Sequence, residues 1–239
     1  MIKLIVNGDD FGITRGVNRG ILEAAKNGIL TSTSVMIGRP YASEINEFHQ
    51  KVPNIGIGIH IEFDKDLMDR CKNKENFDDS EITDSIEEQI AKFKELTGFL
   101  PDHMGFHKIA VRPSKDFVID EITVFVSPIE KISSKYKIPW KGMKKLTEIN
   151  TFHGAIYDPE THKESLMDLE RISPKHLIEI LRTLGNGDYV LMTHPGYADE
   201  ELVSSYFAER EIEIKTLSDI SVIEEIKKLN IQLVNYSQI

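Results

Sequence analysis

Apolar positions along this chain fall into two kinds of run, short β-branched stretches and stretches with a period near 3.6, and the two kinds take turns from the first residues onward. Residues 2–6 are an apolar run that stops at Asn7-Gly8, as a buried strand would. Val17, Ile21, Leu22, Ala24 and Ala25 then recur at helical spacing up to Asn27-Gly28, a helix end. Residues 30–37 predict a second strand, 42–51 a second helix and 55–63 a third strand. This rhythm of strand and helix predicts a parallel sheet covered by helices.

Farther along, 85–98 predicts a helix with Ile86, Ile90, Phe93 and Leu96 on one face and Gly98 just past its end. A strand is expected at 102–111. Residues 173–187 read as a helix with Ser173 as N-cap and Pro174 in the first turn, followed by a strand in "DYVLMTHPG", a helix around 219–229 and a strand at 231–236. Between 112 and 176, Pro113, Pro128, Pro139, Pro159 and Pro174 interrupt short apolar pieces such as "ITVFVS", and the region reads as strands and loops. With no repeat, low-complexity tract or linker, residues 1–239 are expected to form one domain of α/β class.

Composition narrows the function classes. Acidic residues outnumber basic ones, 39 to 29, and no basic stripe interrupts that balance, so nucleic acid is an unfavourable partner. One cysteine, Cys71, offers no internal disulfide, and no stretch has the length of a signal peptide or a membrane span. A soluble, cytoplasmic protein is expected.

The third strand carries the first chemical hint. In "IGIGIHIEF" the odd positions are apolar, while Gly56, Gly58, His60 and Glu62 share the other face, small at first and then polar, as on the inner wall of an α/β barrel. His60 taken alone is more simply a core histidine bonded to a carbonyl. In "PDHMGFHKIAV", His103, Gly105 and His107 share one face of a strand, and a histidine pair at this spacing is by itself a weak metal signal. His194 follows an apolar run and precedes the turn Pro195-Gly196. Asp9 and Asp10 could merely cap the helix that follows them. What argues for chemistry is the coincidence that Asp9-Asp10, His60, His107 and His194 all sit at or just beyond the C-terminal end of an expected strand, where α/β active sites collect. One carboxylate and two imidazoles suit a divalent metal with open positions, a second carboxylate could take a proton from water, and a histidine across the pocket could protonate a leaving group. The set describes a metal-assisted hydrolase of an amide or ester.

These residues resemble the YdjC-like carbohydrate deacetylases, a family that includes chitooligosaccharide deacetylases. The resemblance runs over nearly the whole chain: "NGDDFG" for the family's N-A-D-D-F-G, "GIHIEF" for its G-L-H-L segment, "THPGY" for its H-P-G motif, and more loosely Arg210 with Glu213 and the closing "IQLVNY". It implies a distorted TIM-like (β/α) barrel, a homodimer, and a divalent metal, Mg2+ first and Zn2+ second. It also implies removal of acetyl groups from N-acetylated amino sugars, such as chitooligosaccharides or their phosphorylated forms. Carried over residue by residue, Asp10, His60 and His107 become metal ligands, Asp9 the general base and His194 the general acid. His103 and Arg210 are candidates for substrate contact. Arg15, Lys108 or Arg112 would be the local cation for a phosphosugar. The third motif departs from the family's D-S-H-x-H, since Gly105 and Ile109 replace its acid and second histidine. That loss is expected to alter what orients His107 or what the sugar touches. It also suggests a rival reading, a catalytically silent family member that binds sugar or metal in a regulatory role. An isomerase or aldolase on the same barrel has less support, because fold does not fix function.

Overall fold

A computed structural model of the chain describes residues 1–73, 78–107, 123–143, 145–157, 164–204 and 206–239. Strand β1 (Ile2–Phe11) leads into helix α1 (Arg15–Asn27), β2 (Ser32–Val35), α2 (Ile45–Lys51) and β3 (Gly56–Ile61). Helices α3 (Lys65–Asn73) and α4 (Asp79–Thr97) precede β4 (Met104–Phe106), α5 (Thr123–Tyr136), β5 (Thr147–Ile149) and the antiparallel pair β6 (Ala155–Tyr157) and β7 (Glu164–Met167). The chain closes with α6 (Pro174–Thr183), β8 (Gly187–Thr193), α7 (Ala208–Leu217), α8 (Ile220–Lys228) and β9 (Ile231–Leu233).

The main sheet runs β4-β3-β2-β1-β8-β5 with every neighbour parallel, and β9 joins β1 at its N-terminal end. Beyond β4 the sheet is prolonged by Trp140, which bridges to Met104 in parallel. The result is a curled α/β half-barrel. The alternating faces follow the sequence: Leu4, Val6, Ile57, Ile59 and Ile61 pack under the helices with Ile21, Ile86, Ile90 and Phe93 in the large apolar core. Asn7 and Asp9 of β1, Ser32 and Ser34 of β2, and His60 of β3 are buried polar residues that line the concave side. No helix among the described residues is long and apolar enough to cross a membrane.

Several elements depart from the sequence reading. First, β1 does not stop at residue 6 but runs to Phe11, because its polar side chains find buried partners on β2 instead of needing solvent. Second, "ITVFVS" is not strand-like over its described residues: 123–127 open α5, whose Phe125, Ile129 and Ile132 are buried at helical spacing with Pro128 accommodated inside. A proline that early in a helix forfeits one backbone bond, and the buried face outweighs it. Third, α7 carries too many charges for a clear apolar stripe. In α7, Glu209, Arg210 and Glu213 are themselves buried, which hides its inner face from a hydrophobicity pattern. The α4 helix also starts earlier than expected, at a capping box formed by Asp78 and Glu81. Of the strand expected at 102–111, the part past His107 lies outside the described residues, as do Lys108, Ile109 and Arg112.

Candidate metal centre and active site

The site is assembled at the C-terminal ends of β1, β3, β4 and β8. Asp9 and Asp10 are consecutive in a strand, so alternation would send them to opposite faces. Asp10 instead adopts φ 73°, the left-handed region that aspartate tolerates better than most residues, and this turn brings both carboxylates to the same imidazole. Asp9 Oδ1 lies 3.9 Å from His60 Nδ1, and Asp10 Oδ1 lies 3.4 Å from His60 Nε2. His107, just past β4, places its Nδ1 3.3 Å from the same Asp10 oxygen. Its backbone is fixed by an N–H donated to the Ile61 carbonyl at 2.9 Å.

Asp10, His60 and His107 therefore offer one ligand atom each, all within 4.8 Å of one another. Asp10 Oδ1 is buried and accepts no hydrogen bond. A buried carboxylate oxygen facing two imidazole nitrogens and left unsatisfied is what a cation-binding cluster requires. The donor set, one carboxylate and two imidazoles, fits a divalent ion. The other oxygen, Oδ2, accepts a 2.6 Å bond from Arg210 Nη2. Burial raises the Asp10 pKa, but the neighbouring imidazoles of His107 and His60 and the charge of Arg210 outweigh it and hold the carboxyl well below its usual range.

Asp9 is held as firmly. Its Oδ1 accepts from Asn7 Nδ2 at 2.6 Å and from Ser34 Oγ at 2.7 Å, and Lys141 Nζ stands 3.8 Å from Oδ2. Burial works against its charge, yet His60, Lys141 and His194 together lower its pKa, so it is ionised at neutral pH. For His60 the balance runs the other way: burial disfavours the imidazolium, and Asp9 and Asp10 together raise the pKa above its ordinary value.

His194 leaves β8 with its backbone N–H donated to Glu213 Oε2 at 2.5 Å. Glu213 also accepts from the Tyr206 hydroxyl, and Tyr206 in turn stacks on His153, 4.7 Å between ring centroids. Burial pushes the His194 pKa down to about 3 against the pull of Asp10 and Asp9, and its Nδ1 is buried without a partner.

The remaining sequence candidates sit elsewhere. His103 is fully buried, stacked on Tyr236 and bonded through Nδ1 to Asp102 at 2.6 Å; it presents nothing to a sugar. Arg210 is almost wholly buried too, and its Nη2 donates to Asp10 Oδ2, so it offers little surface for the substrate contact expected of it. Arg15 is paired with Glu44 at 3.3 Å. Gly105, where the family motif has an acid, lies against His60 rather than His107: a Cβ there would be 3.0 Å from His60 Nδ1. Sequence reasoning did not find Ser34, Asn7, Lys141 or Tyr206. The first two were legible as the inward positions of β1 and β2; Lys141 follows a proline-broken stretch with no pattern to mark it.

A family model described as "YdjC-like protein" matches residues 3–228. The chain belongs to the YdjC-like family. A protein of Thermoanaerobacter pseudethanolicus named carbohydrate deacetylase is 38% identical over 99% of both chains, and one of the same name from Clostridium beijerinckii is 29% identical over the full length of both. Among solved structures, a protein of Enterococcus faecalis V583 named for cellobiose-phosphate cleavage superposes with a TM-score of 0.77 at 23% identity, covering 99% of this chain and 98% of that one. A family 4 carbohydrate esterase of Streptomyces lividans, in complex with acetate, shares the fold at a TM-score of 0.52 and 12% identity, covering 98% of this chain and 91% of that one. In this YdjC-like chain the cluster of Asp10, His60 and His107 occupies the mouth of the half-barrel.

Proposed function

We propose that the protein is a metal-dependent carbohydrate deacetylase that hydrolyses the acetamide of N-acetylated amino sugars, chitooligosaccharides or their phosphorylated forms. The observation that carries this reading is the unsatisfied Asp10 Oδ1 facing His60 and His107, with an ionised Asp9 on the far side of the same imidazole, in a chain whose relatives are named carbohydrate deacetylases.

Asp10, His60 and His107 would hold a divalent cation. Such an ion, when bound, lowers the pKa of a coordinated water and polarises a carbonyl oxygen. The chain's own part begins with Asp9. Ionised and held at Oδ1 by Asn7 and Ser34, its carboxylate has Oδ2 left to take a proton from the attacking water, with Lys141 Nζ 3.8 Å away. His194 is neutral at the start, because burial depresses its pKa to about 3. As negative charge builds beside it, it can take up the proton that Asp9 has removed from the water and pass that proton to the departing amine nitrogen. Arg210 donates to Asp10 Oδ2 and holds the rotation of that carboxylate. Magnesium follows from the family resemblance, whereas two imidazoles also suit zinc. A cytoplasmic setting accords with the single buried Cys71, and a homodimer rests on the resemblance alone.

The test is acetate release from N-acetylated chitooligosaccharides, plain and phosphorylated, by metal-loaded protein beside an Asp9→Asn variant. Acetate from the parent and almost none from the variant supports the reading. A metal-loaded parent that releases none from any of these sugars overturns it.

A further inference from the structure

The hydroxyl of Ser34 joins the two halves of the site. Ser34 is fully buried on β2, and its Oγ lies 2.7 Å from Asp9 Oδ1, 3.3 Å from His60 Nδ1 and 3.3 Å from Asn7 Nδ2. A serine has one proton to donate and two lone pairs. Ser34 Oγ donates its proton to Asp9 Oδ1 at 2.7 Å, and Asn7 Nδ2 can only donate to Ser34, so the serine oxygen is left as an acceptor. Toward His60 the oxygen can then only accept, which requires Nδ1 to carry a hydrogen. The neutral imidazole consequently bares the lone pair of Nε2, the nitrogen that faces the unsatisfied Asp10 Oδ1 at 3.4 Å.

We propose that Ser34 is a positioning residue that fixes His60 in the Nδ1–H tautomer, aims its Nε2 at the metal position, and at the same time holds the Asp9 carboxylate. One hydroxyl thereby aligns a metal ligand and the proton acceptor. The space for this arrangement comes from Gly105, since a Cβ there would lie 3.0 Å from His60 Nδ1 and 3.6 Å from Ser34 Oγ. The inference rests on the metal-site reading above and is independent of which acyl group is cleaved. Hydrogen-bond partners of this kind around ligating histidines typically contribute about 10- to 100-fold in metal affinity.

Two measurements on the full chain test it with Zn2+ as the probe. In the zinc-loaded parent, 15N-histidine spectra should show His60 with a protonated Nδ1, slow to exchange with water, and a metal-bound Nε2. Binding through Nδ1 overturns the proposal without any variant. In Ser34→Ala, chelator competition should show zinc held about 10- to 100-fold more weakly, and the His60 Nδ1 proton should exchange faster. Unchanged affinity with an unchanged Nδ1 proton overturns it. Both readouts are independent of acetate release, so a protein that binds zinc as described and deacetylates nothing would sink the deacetylase reading and leave the role of Ser34 standing.

Discussion

Arg210 Nη2 sits 2.6 Å from Asp10 Oδ2, two hundred residues away in sequence, and both side chains are almost wholly buried. The guanidinium spends its other donors on backbone carbonyls, Nε on Tyr206 at 3.0 Å and Nη1 on His194 at 3.4 Å, so it ties the β8 exit and α7 to the end of β1. Removing it would leave a buried carboxylate whose remaining partners are imidazoles. Breaking a buried pair from one side costs about 3–5 kcal/mol. Arg210→Met should therefore lower the unfolding free energy of the metal-free protein by about that amount. A divalent ion should restore part of the loss, because it supplies the missing positive charge. Urea melts with and without Mg2+ or Zn2+ measure both. Equal losses in the two conditions would mean that Arg210 and the metal position do not share Asp10.

The adjacent acids should separate cleanly on mutation. Asp9→Asn keeps the shape and the bonds to Ser34, removes the proton acceptor, and should cut kcat by about 10²–10⁴-fold with metal content unchanged. Asp10→Asn should lose the metal itself, since its Oδ1 is the atom shared by both imidazoles. Elemental analysis beside acetate release distinguishes them. Loss of metal from the Asp9 variant would reverse the assignment of the two carboxylates.

Strand β3 was legible because it alternates, the polar residues of "IGIGIHIEF" falling on the one face that the fold puts inside, and β1 was legible as an apolar run. What the pattern did not reveal was the φ of 73° at Asp10, which breaks the alternation and lets neighbours in sequence approach one imidazole from two sides. Nor could hydropathy mark α7, whose inward face is made of Glu209, Arg210 and Glu213. Arg210 and Glu213 are buried where they serve Asp10 and the His194 backbone, long-range polar contacts that no local periodicity encodes. The two histidines of "HMGFH" show the opposite error. They share a strand face, yet only His107 reaches the site, while His103 lies deeper, where the missing side chain of Gly58 makes room for its ring.

Gly105 gives a further test of what surrounds His60. Because a Cβ at this position comes within 3.0 Å of His60 Nδ1, Gly105→Ala must push the ring by a few tenths of an ångström or displace Ser34. Metal sites depend on ligands held to within about 0.5 Å. The variant should fold normally and bind Zn2+ about tenfold more weakly, as read by chelator competition. A variant that binds zinc as tightly as the parent would show that His60 has more freedom than its packing suggests.

Glu213 predicts a pH dependence of stability with an uncommon sign. Its carboxyl is buried, and burial raises its pKa to about 7 against the lowering effect of the Tyr206 hydroxyl and the His194 N–H. In the unfolded chain it would titrate near 4.5. Between those values the folded protein binds more protons at this residue than the unfolded chain does, so its contribution is present below about pH 4.5 and lost as pH rises toward 7. A shift of this size corresponds to roughly 3 kcal/mol at most. Glu213→Gln cannot ionise; its single oxygen keeps one of the two bonds, to Tyr206 or to the His194 N–H, and the lost bond offsets the stability by a constant at every pH. The stability difference, parent minus variant, should therefore fall from pH 4.5 to 7 and be flat above, measured by urea unfolding across that range in metal-free protein. A difference that rises with pH would mean that Glu213 is ionised and stabilised in the folded state, with Arg210 rather than burial deciding its charge.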